Sequence, residues 1–227
     1  MIPMTMSEAA SLVRIVIVDD HPMVRERLAE VINRESDMKV CGEAEDRAGA
    51  LELIGKESPT LAIVDLTLRR SNGLDLIKDL RAMYPDVRIL VVSMQEENLY
   101  AERVIRAGAH GYITKQEATR KILEAIRQVI AGKVFLSEAL SAEMLSRMVG
   151  KPKATPGISF ELLTDRELQV FDLVGQGFGT RQIAEQLGVD VKTIETYRAR
   201  IKDKLELKDA SELLRKAIAW KLDHPTT

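Results

Sequence analysis

Short apolar runs rich in β-branched residues alternate with longer amphipathic stretches through the first 132 residues. The runs cover residues 13–18, 38–44, 61–65, 87–92 and 111–114. Between and after them lie stretches 23–34, 48–56, 73–84, 97–107 and 117–130, with apolar residues three and four apart, as in Leu74, Ile77 and Leu80. That spacing predicts helices with one buried face. Five strands alternating with five helices predict a parallel sheet covered on both sides. The unbroken apolar character of 13–18 and 89–92 fits strands buried on both faces.

A further amphipathic segment, 138–148, predicts a connector helix. It is followed by GKPKATPG at 150–157, which favours neither helix nor strand and reads as a linker. Beyond residue 160 no strand-type alternation appears, and the pattern is helical throughout. Thr164 with Glu167 forms a capping box, and Thr180, Asp190 and the pair Asp209/Glu212 are expected to cap the next three helices. The expected division is 12–132 for an α/β domain, 133–160 for the connector and linker, and 161–227 for an all-α domain.

Composition changes this picture little. The 227 residues are 45% hydrophobic and 30% charged, with few aromatics, so the cores are aliphatic. A net charge of −2 excludes a global basic field; any nucleic-acid contact must come from a local patch. The lone Cys41 excludes an intrachain disulfide and a cysteine zinc site, which fits a cytoplasmic location. No signal peptide is expected in residues 1–12, and no apolar run is long enough to predict a membrane span.

The first strand leads into Asp19 and Asp20, and the third ends in Asp65. In an open parallel sheet, groups beyond the carboxyl ends of the strands gather near the point where strand order switches. Two ionised carboxylates about 4 Å apart repel by roughly 4 kcal/mol at an effective dielectric near 20. The cluster therefore needs a proton, a cation or a lysine. Oxygen ligands with room for water suit Mg²⁺. The fourth strand runs into Ser93 and the fifth into Lys115, adding a hydroxyl and an ammonium at the same edge. An aspartate nucleophile with a metal and an ammonium to neutralise transferring oxygens is a phosphoryl-transfer constellation. A phosphate-ester hydrolase of the aspartate-nucleophile type would carry a second aspartate two residues on; here those positions are His21 and Thr67, which argues against an enzyme.

In the C-terminal part, stretches 169–177, 180–187 and 191–205 predict three packed helices, with Gly188 at a tight turn. A short helix, a glycine turn and a basic helix form a helix-turn-helix pattern. Lys192, Arg198, Arg200, Lys202 and Lys204 outweigh Glu195 and Asp203 on the third helix. Ile194, Tyr197, Ile201 and Leu205 form its apolar stripe. Lys192, Glu195, Thr196 and Ala199 face outward, with Arg198, Arg200 and Lys204 flanking them at phosphate distance. The glycines of GQGFG at 175–179 follow a helix rather than a strand, so they are no dinucleotide loop.

VIVDDHP at 16–22, VDLTL at 64–68, VVSM at 91–94 and GYITK at 111–115 together resemble the receiver domain of two-component response regulators. The stretch 163–213 is similar to the LuxR-type DNA-binding domain, and the combination resembles a NarL/FixJ-type regulator. The resemblance implies a flavodoxin-like doubly wound five-stranded parallel sheet followed by a four-helix helix-turn-helix domain. It implies that Asp65 accepts a phosphoryl group from a sensor histidine kinase, and that Asp19, Asp20, Asp65 and the carbonyl of Thr67 hold Mg²⁺. Ser93 and Lys115 would contact the phosphoryl group, and Tyr112 would be the aromatic that moves with Ser93. Glu195, Thr196 and Ala199 would face bases of double-stranded DNA, while Lys192, Thr193, Arg198 and Arg200 would meet phosphates. Leu213, Leu214, Ala217 and Ile218 are the candidates for a homodimer contact in the phosphorylated or DNA-bound form, although core packing competes for the same side chains. The implied function is a phosphorylation-switched transcription regulator; the alternative is a DNA-binding protein whose receiver only mediates protein contacts. Arg69 and Gln116 replace prolines common in receivers, which leaves open the shape of the loop after Asp65 and the peptide isomer at 115–116.

Overall fold

A computed structural model of the chain describes residues 12–68, 71–95, 97–138, 140–142 and 162–223. Most of the expected connector helix (143–148) and the linker at 150–157 lie outside the described residues. Apart from the short segment 69–71, the chain divides between residues 140 and 141 into two compact units.

The first unit contains strands β1 (Val13–Val18), β2 (Met38–Ala44), β3 (Leu61–Val64), β4 (Arg88–Ser93) and β5 (Gly111–Thr114). The helices are α1 (Pro22–Asn33), α2 (Arg47–Glu57), α3 (Gly73–Met83), α4 (Glu97–Ala107) and α5 (Lys115–Ile130). These five strands pair in the order β2-β1-β3-β4-β5, all parallel, and the short segments Thr67–Leu68 and Ser71–Asn72 pair separately as a two-stranded sheet after β3. Strand order reverses direction between β1 and β3, and their carboxyl ends face the crevice that doubly wound sheets use for ligands.

Alternation along the strands divides the core in two. Ile15, Ile17, Ile63, Leu90, Val92 and Ile113 pack with Leu28 and Ile32 of α1 and Ile122, Ile126 and Val129 of α5. Val16, Val18, Ala62, Val64, Ile89 and Val91 point to the opposite face and are also buried. Two-sided burial is why these strands read as continuous apolar runs. Past α5, Phe135 extends the sheet edge: the Tyr112 N–H donates to its carbonyl at 2.8 Å, and its own N–H donates to the His110 carbonyl at 3.1 Å.

The second unit contains α6 (Asp165–Gly175), α7 (Thr180–Leu187), α8 (Val191–Lys204) and α9 (Ala210–Asp223). Leu168, Phe171, Ile183, Ile194, Ile201 and Leu213 are its fully buried side chains of greatest bulk at the helix contacts. The Thr164–Glu167 capping box opens α6 four residues before the apolar periodicity suggests. The caps of α7 and α8 differ from expectation. Gly179, not Thr180, is the residue before α7, and its N–H is taken by the Gln182 side chain at 2.8 Å. Asp190 precedes α8 but makes no side-chain cap bond. Asp209 accepts from the Glu212 N–H at 2.8 Å, while the Glu212 carboxylate reaches back to the N–H of Lys208. Gly188 adopts φ +62 at the turn between α7 and α8, a left-handed conformation that favours glycine.

Candidate functional site

β1 and β3 are neighbours in the sheet, so the residues just past their ends converge. The N–H of Asp65 donates to the Val18 carbonyl at 2.8 Å, and that of Asp19 donates to the Ala44 carbonyl at 3.1 Å. Asp19 and Asp65 are each 2% exposed. Lys115, the first residue of α5, enters from the end of β5. Its Nζ lies 2.7 Å from Asp19 Oδ2 and 2.7 Å from Asp65 Oδ2. Thr114 caps α5 by accepting from the Glu117 N–H, which starts the helix at Lys115, two residues earlier than expected. No cis peptide is present among the described residues, so the 115–116 bond is trans.

Burial pushes the Asp65 carboxyl above its ordinary value, helped by the charge of Asp19; Lys115 and the Ser93 hydroxyl oppose the shift. Burial also disfavours the charged form of Lys115, but Asp65 and Asp19 together outweigh it and hold the ammonium above its ordinary value. The lysine is thus the resident counter-charge of the carboxylate pair.

Ser93 is fully buried, and its hydroxyl favours the charged form of the Asp65 carboxyl. Thr67 donates its backbone N–H to Asp65 Oδ1 at 3.3 Å. Gln95 ties the neighbouring loops together. Its N–H reaches Ser93 Oγ at 3.3 Å, and its side chain reaches Thr67 Oγ1 at 3.5 Å. The Tyr112 hydroxyl donates to the Gln95 carbonyl at 2.7 Å, and the Tyr112 ring is fully buried beneath the loop. All seven sequence candidates in this half, Asp19, Asp20, Asp65, Thr67, Ser93, Tyr112 and Lys115, therefore meet at one edge of the sheet.

Two residues here had no assigned part in the sequence reading. Arg25 of α1 donates to the Asp19 carbonyl at 2.6 Å and pairs with Glu43 at 3.1 Å, fixing the backbone of the acidic pair. His21 lies within the same donor group: one ligand atom each from Asp19, Asp20, His21 and Asp65 falls within 4.8 Å of the others. One Asp20 oxygen, Oδ1, is buried without a hydrogen-bond donor. An orphaned carboxylate oxygen beside two further carboxylates fits a hard dication such as Mg²⁺. The apolar period does not single out Arg25 or His21, because their reach to the cluster depends on how the chain turns after β1.

The second unit presents α8. Lys192, Glu195, Thr196, Ala199 and Arg200 are exposed, and Thr193 and Arg198 are half-buried. Ile194 and Ile201 are fully buried, whereas Tyr197 and Leu205 are half-buried. Lys204 departs from the expected flanking position: its Nζ lies 2.6 Å from the buried carboxylate of Glu167 on α6. Arg198 leans toward α7, 3.4 Å from Thr180 Oγ1. Leu213 and Ala217 are buried within the unit; Gly175 of α6 lies so close that an added Cβ would stand 2.6 Å from the Ala217 carbonyl oxygen. Those two side chains therefore belong to the core and are not available to a second subunit. Leu214 and Ile218 remain exposed, at 40% and 39%.

The receiver-domain family of response regulators matches residues 15–127, and the luxR family of bacterial regulatory proteins matches residues 161–217. The chain is 32% identical over 213 residues to the oxygen regulatory protein NreC of Staphylococcus carnosus, covering 92% of this chain and 98% of that one. A LuxR-family two-component response regulator from Aurantimonas sp. SI85-9A1 is 32% identical, covering 62% of this chain and all of that one, with a TM-score of 0.57. The fold is shared with Salmonella typhimurium RcsB, 23% identical over 92% of this chain and 98% of that one, at a TM-score of 0.67.

Proposed function

Because this chain belongs to the two-component response regulators that join a receiver domain to a luxR-type DNA-binding domain, we propose that phosphorylation of Asp65 controls how its C-terminal helices engage duplex DNA. The observation that carries the proposal is the bridge from Lys115 Nζ to both Asp19 and Asp65 at 2.7 Å. It puts an ammonium where a phosphoryl group on Asp65 would need one.

In the transfer, an Asp65 carboxylate oxygen attacks phosphorus of a phosphohistidine on a sensor kinase. The P–N bond breaks as the O–P bond forms, and the imidazole leaves with the electron pair. Asp19, Asp20, Asp65 and the Thr67 carbonyl would hold Mg²⁺, which when bound supplies charge neutralisation to the transferring oxygens. Lys115 pairs with the phosphoryl group, and the Ser93 hydroxyl donates to it. Tyr112, anchored to the Gln95 carbonyl, follows the Ser93 loop. Moving a two-state equilibrium from 1% to 99% active requires about 5.5 kcal/mol of differential stabilisation.

The working division is a receiver at 12–132, a connector and linker at 133–160, and a DNA-binding domain at 161–227. Glu195, Thr196 and Ala199 read base edges, and Lys192, Thr193, Arg198 and Arg200 approach phosphates. Exposed Leu214 and Ile218 supply the apolar part of a homodimer contact on DNA. The chain acts as a regulator in the cytoplasm and turns over no small substrate; no described helix is long and apolar enough to cross a membrane.

The test is DNA binding with and without beryllofluoride and Mg²⁺, using wild type and Asp65→Ala on duplexes selected from a random pool. Tightened binding by wild type alone supports the switch. Equal binding under every condition replaces it with a receiver that serves only as a protein-contact module.

A further inference from the structure

Past α5 the chain turns back at Gly132, which adopts φ +80 with nothing near the place a Cβ would take. Glycine is there for its backbone freedom. The turn lays the following residues along the outer edge of β5. Phe135 is fastened there by its backbone bonds to Tyr112 and His110, and a Cβ added to Gly111 would stand 3.0 Å from Phe135 Cβ. Two residues on, the Ser137 N–H donates to Glu97 Oε1 at 2.8 Å. Ser137 also opens a helical turn, its Oγ accepting from the Leu140 N–H at 3.2 Å. This is half of a capping box, in which the side chain three residues on would accept the N–H of the capping residue in return. Leu140 is buried, and its side chain offers no acceptor. Glu97, the first residue of α4, supplies the missing carboxylate from 40 residues upstream. At Thr164–Glu167 the same chain completes the box locally.

We propose that Glu97 is a latch on the connector: it completes the cap at Ser137 while Asp65 is unphosphorylated, and lets go when the loop after β4 is drawn toward a phosphoryl group. The inference rests on the reading of Asp65 as the phospho-acceptor. Glu97 lies two residues beyond Gln95, whose N–H is on Ser93 Oγ and whose carbonyl is held by the Tyr112 hydroxyl. Movement of Ser93 toward Asp65 therefore carries the start of α4 with it. The Phe135 bonds are made by the backbone at the start of β5, inside the sheet, and stay. A hydrogen bond of this length is lost once its atoms part by about 1 Å. A small displacement of Glu97 thus leaves the Ser137 N–H without its acceptor and frays the first turn of the connector. The signal handed to the chain beyond is the loss of a helix cap.

The experiment is hydrogen exchange of the Ser137 amide, resolved by NMR on the isotopically labelled full chain, with and without beryllofluoride and Mg²⁺. Wild type, Glu97→Ala and Glu97→Gln are compared, with the amides of Ile17 and Ile63 in the central strands reporting an intact fold. The expected result is that beryllofluoride speeds Ser137 exchange in wild type at least about tenfold, while Phe135 exchange stays within about twofold. Glu97→Ala should exchange fast without beryllofluoride and gain nothing from it. Glu97→Gln, whose amide oxygen still accepts, should restore most of the protection. Unchanged Ser137 exchange in wild type, with the Thr67 and Gln95 amides responding to beryllofluoride, would overturn the latch alone. If those two amides are silent as well, Asp65 is not the phosphoryl site and both readings fall. Protection of Ser137 that survives in Glu97→Ala would also overturn the latch, as would equal speeding of Phe135 and Ser137. The wild-type comparison decides the question by itself should Glu97→Ala fail to fold.

Discussion

Lys115 Nζ and Asp65 Oδ2 are 2.7 Å apart in a pocket that leaves Asp65 only 2% exposed, so the ion pair that readies the site also sits at an electrostatic cost to the fold. Burial raises the Asp65 carboxyl above the 3.8 of a free aspartate, with the Asp19 charge adding to it and Lys115 opposing it. A group raised in the folded state contributes its full stability below pH 3.8, and the contribution is lost as pH rises through the folded value. Asp65→Asn should therefore raise the melting temperature in EDTA at pH 7.5, with the gain shrinking toward pH 4. A melting temperature at or below that of wild type at pH 7.5 would contradict this account.

Removing the other partner has the opposite sign. Lys115→Met leaves Asp19 and Asp65 facing one another without a counter-charge, and loss of one member of a buried pair costs about 3–5 kcal/mol. Urea unfolding at pH 7.5 should show this loss. Adding Asp65→Asn to Lys115→Met should recover part of it, since the two sites are in contact and their effects do not add.

Gly73 opens α3 against the phospho-acceptor loop. A Cβ at this position would stand 2.0 Å from the Asp65 carbonyl oxygen and 2.7 Å from Leu66 Cα, both backbone atoms. Gly73→Ala should destabilise the first unit by about 1–3 kcal/mol through overpacking. It should also slow phosphorylation by a small-molecule donor, because the loop can only relieve the clash by moving Asp65. Phosphorylation at the wild-type rate would show that the loop yields elsewhere.

On α8, side chains for position and for sequence should separate by salt. Arg200→Ala should weaken binding to all duplexes and lower the slope of log affinity against log salt by about one. Glu195→Ala should leave that slope alone and relax base preference at one position, by about 1–3 kcal/mol of discrimination.

Glu167 gives the second unit its own acid sensitivity. Burial alone would raise its carboxyl, but the Lys204 ammonium and the Thr164 bonds prevail and hold it below the usual 4.5. Its contribution is present above pH 4.5 and lost as pH falls through the lower folded value. Trp220, the only tryptophan, lies in α9 and reports this unit by fluorescence. Denaturation midpoints should fall between pH 6 and pH 3.5, and Lys204→Met should flatten that fall. An equally steep fall in the variant would place the acid-sensitive group elsewhere.

The strands and most helices were legible because two-sided burial writes continuous apolar runs and one-sided burial writes a helical period. All five strand positions agree to within one residue. Helix starts were less legible, since α5 begins where Thr114 captures the Glu117 N–H, a polar event that apolar period does not record. Asp19, Asp65, Ser93 and Lys115 were readable because each ends or follows a strand. Arg25 and His21 were not, because a loop decides whether such side chains reach the site. Lys204 misled for a related reason: its position on the helix suits solvent, yet its long stem carries the ammonium back to Glu167.

Gln95 adds hydrogen bonds between the loops at three neighbouring strand ends. Its N–H is on Ser93, its carbonyl on Tyr112, and its amide on Thr67, so β4, β5 and the turn after β3 share one knot. Moving Ser93, Tyr112 or Thr67 away from Gln95 costs the hydrogen bond each shares with it. Bonds shared through one residue couple the three partners, so a shift at one of them is expected to be felt at the others. The receiver edge should thus behave as a threshold element with few intermediate settings, and loosening Gln95 should blur that threshold before it weakens the response.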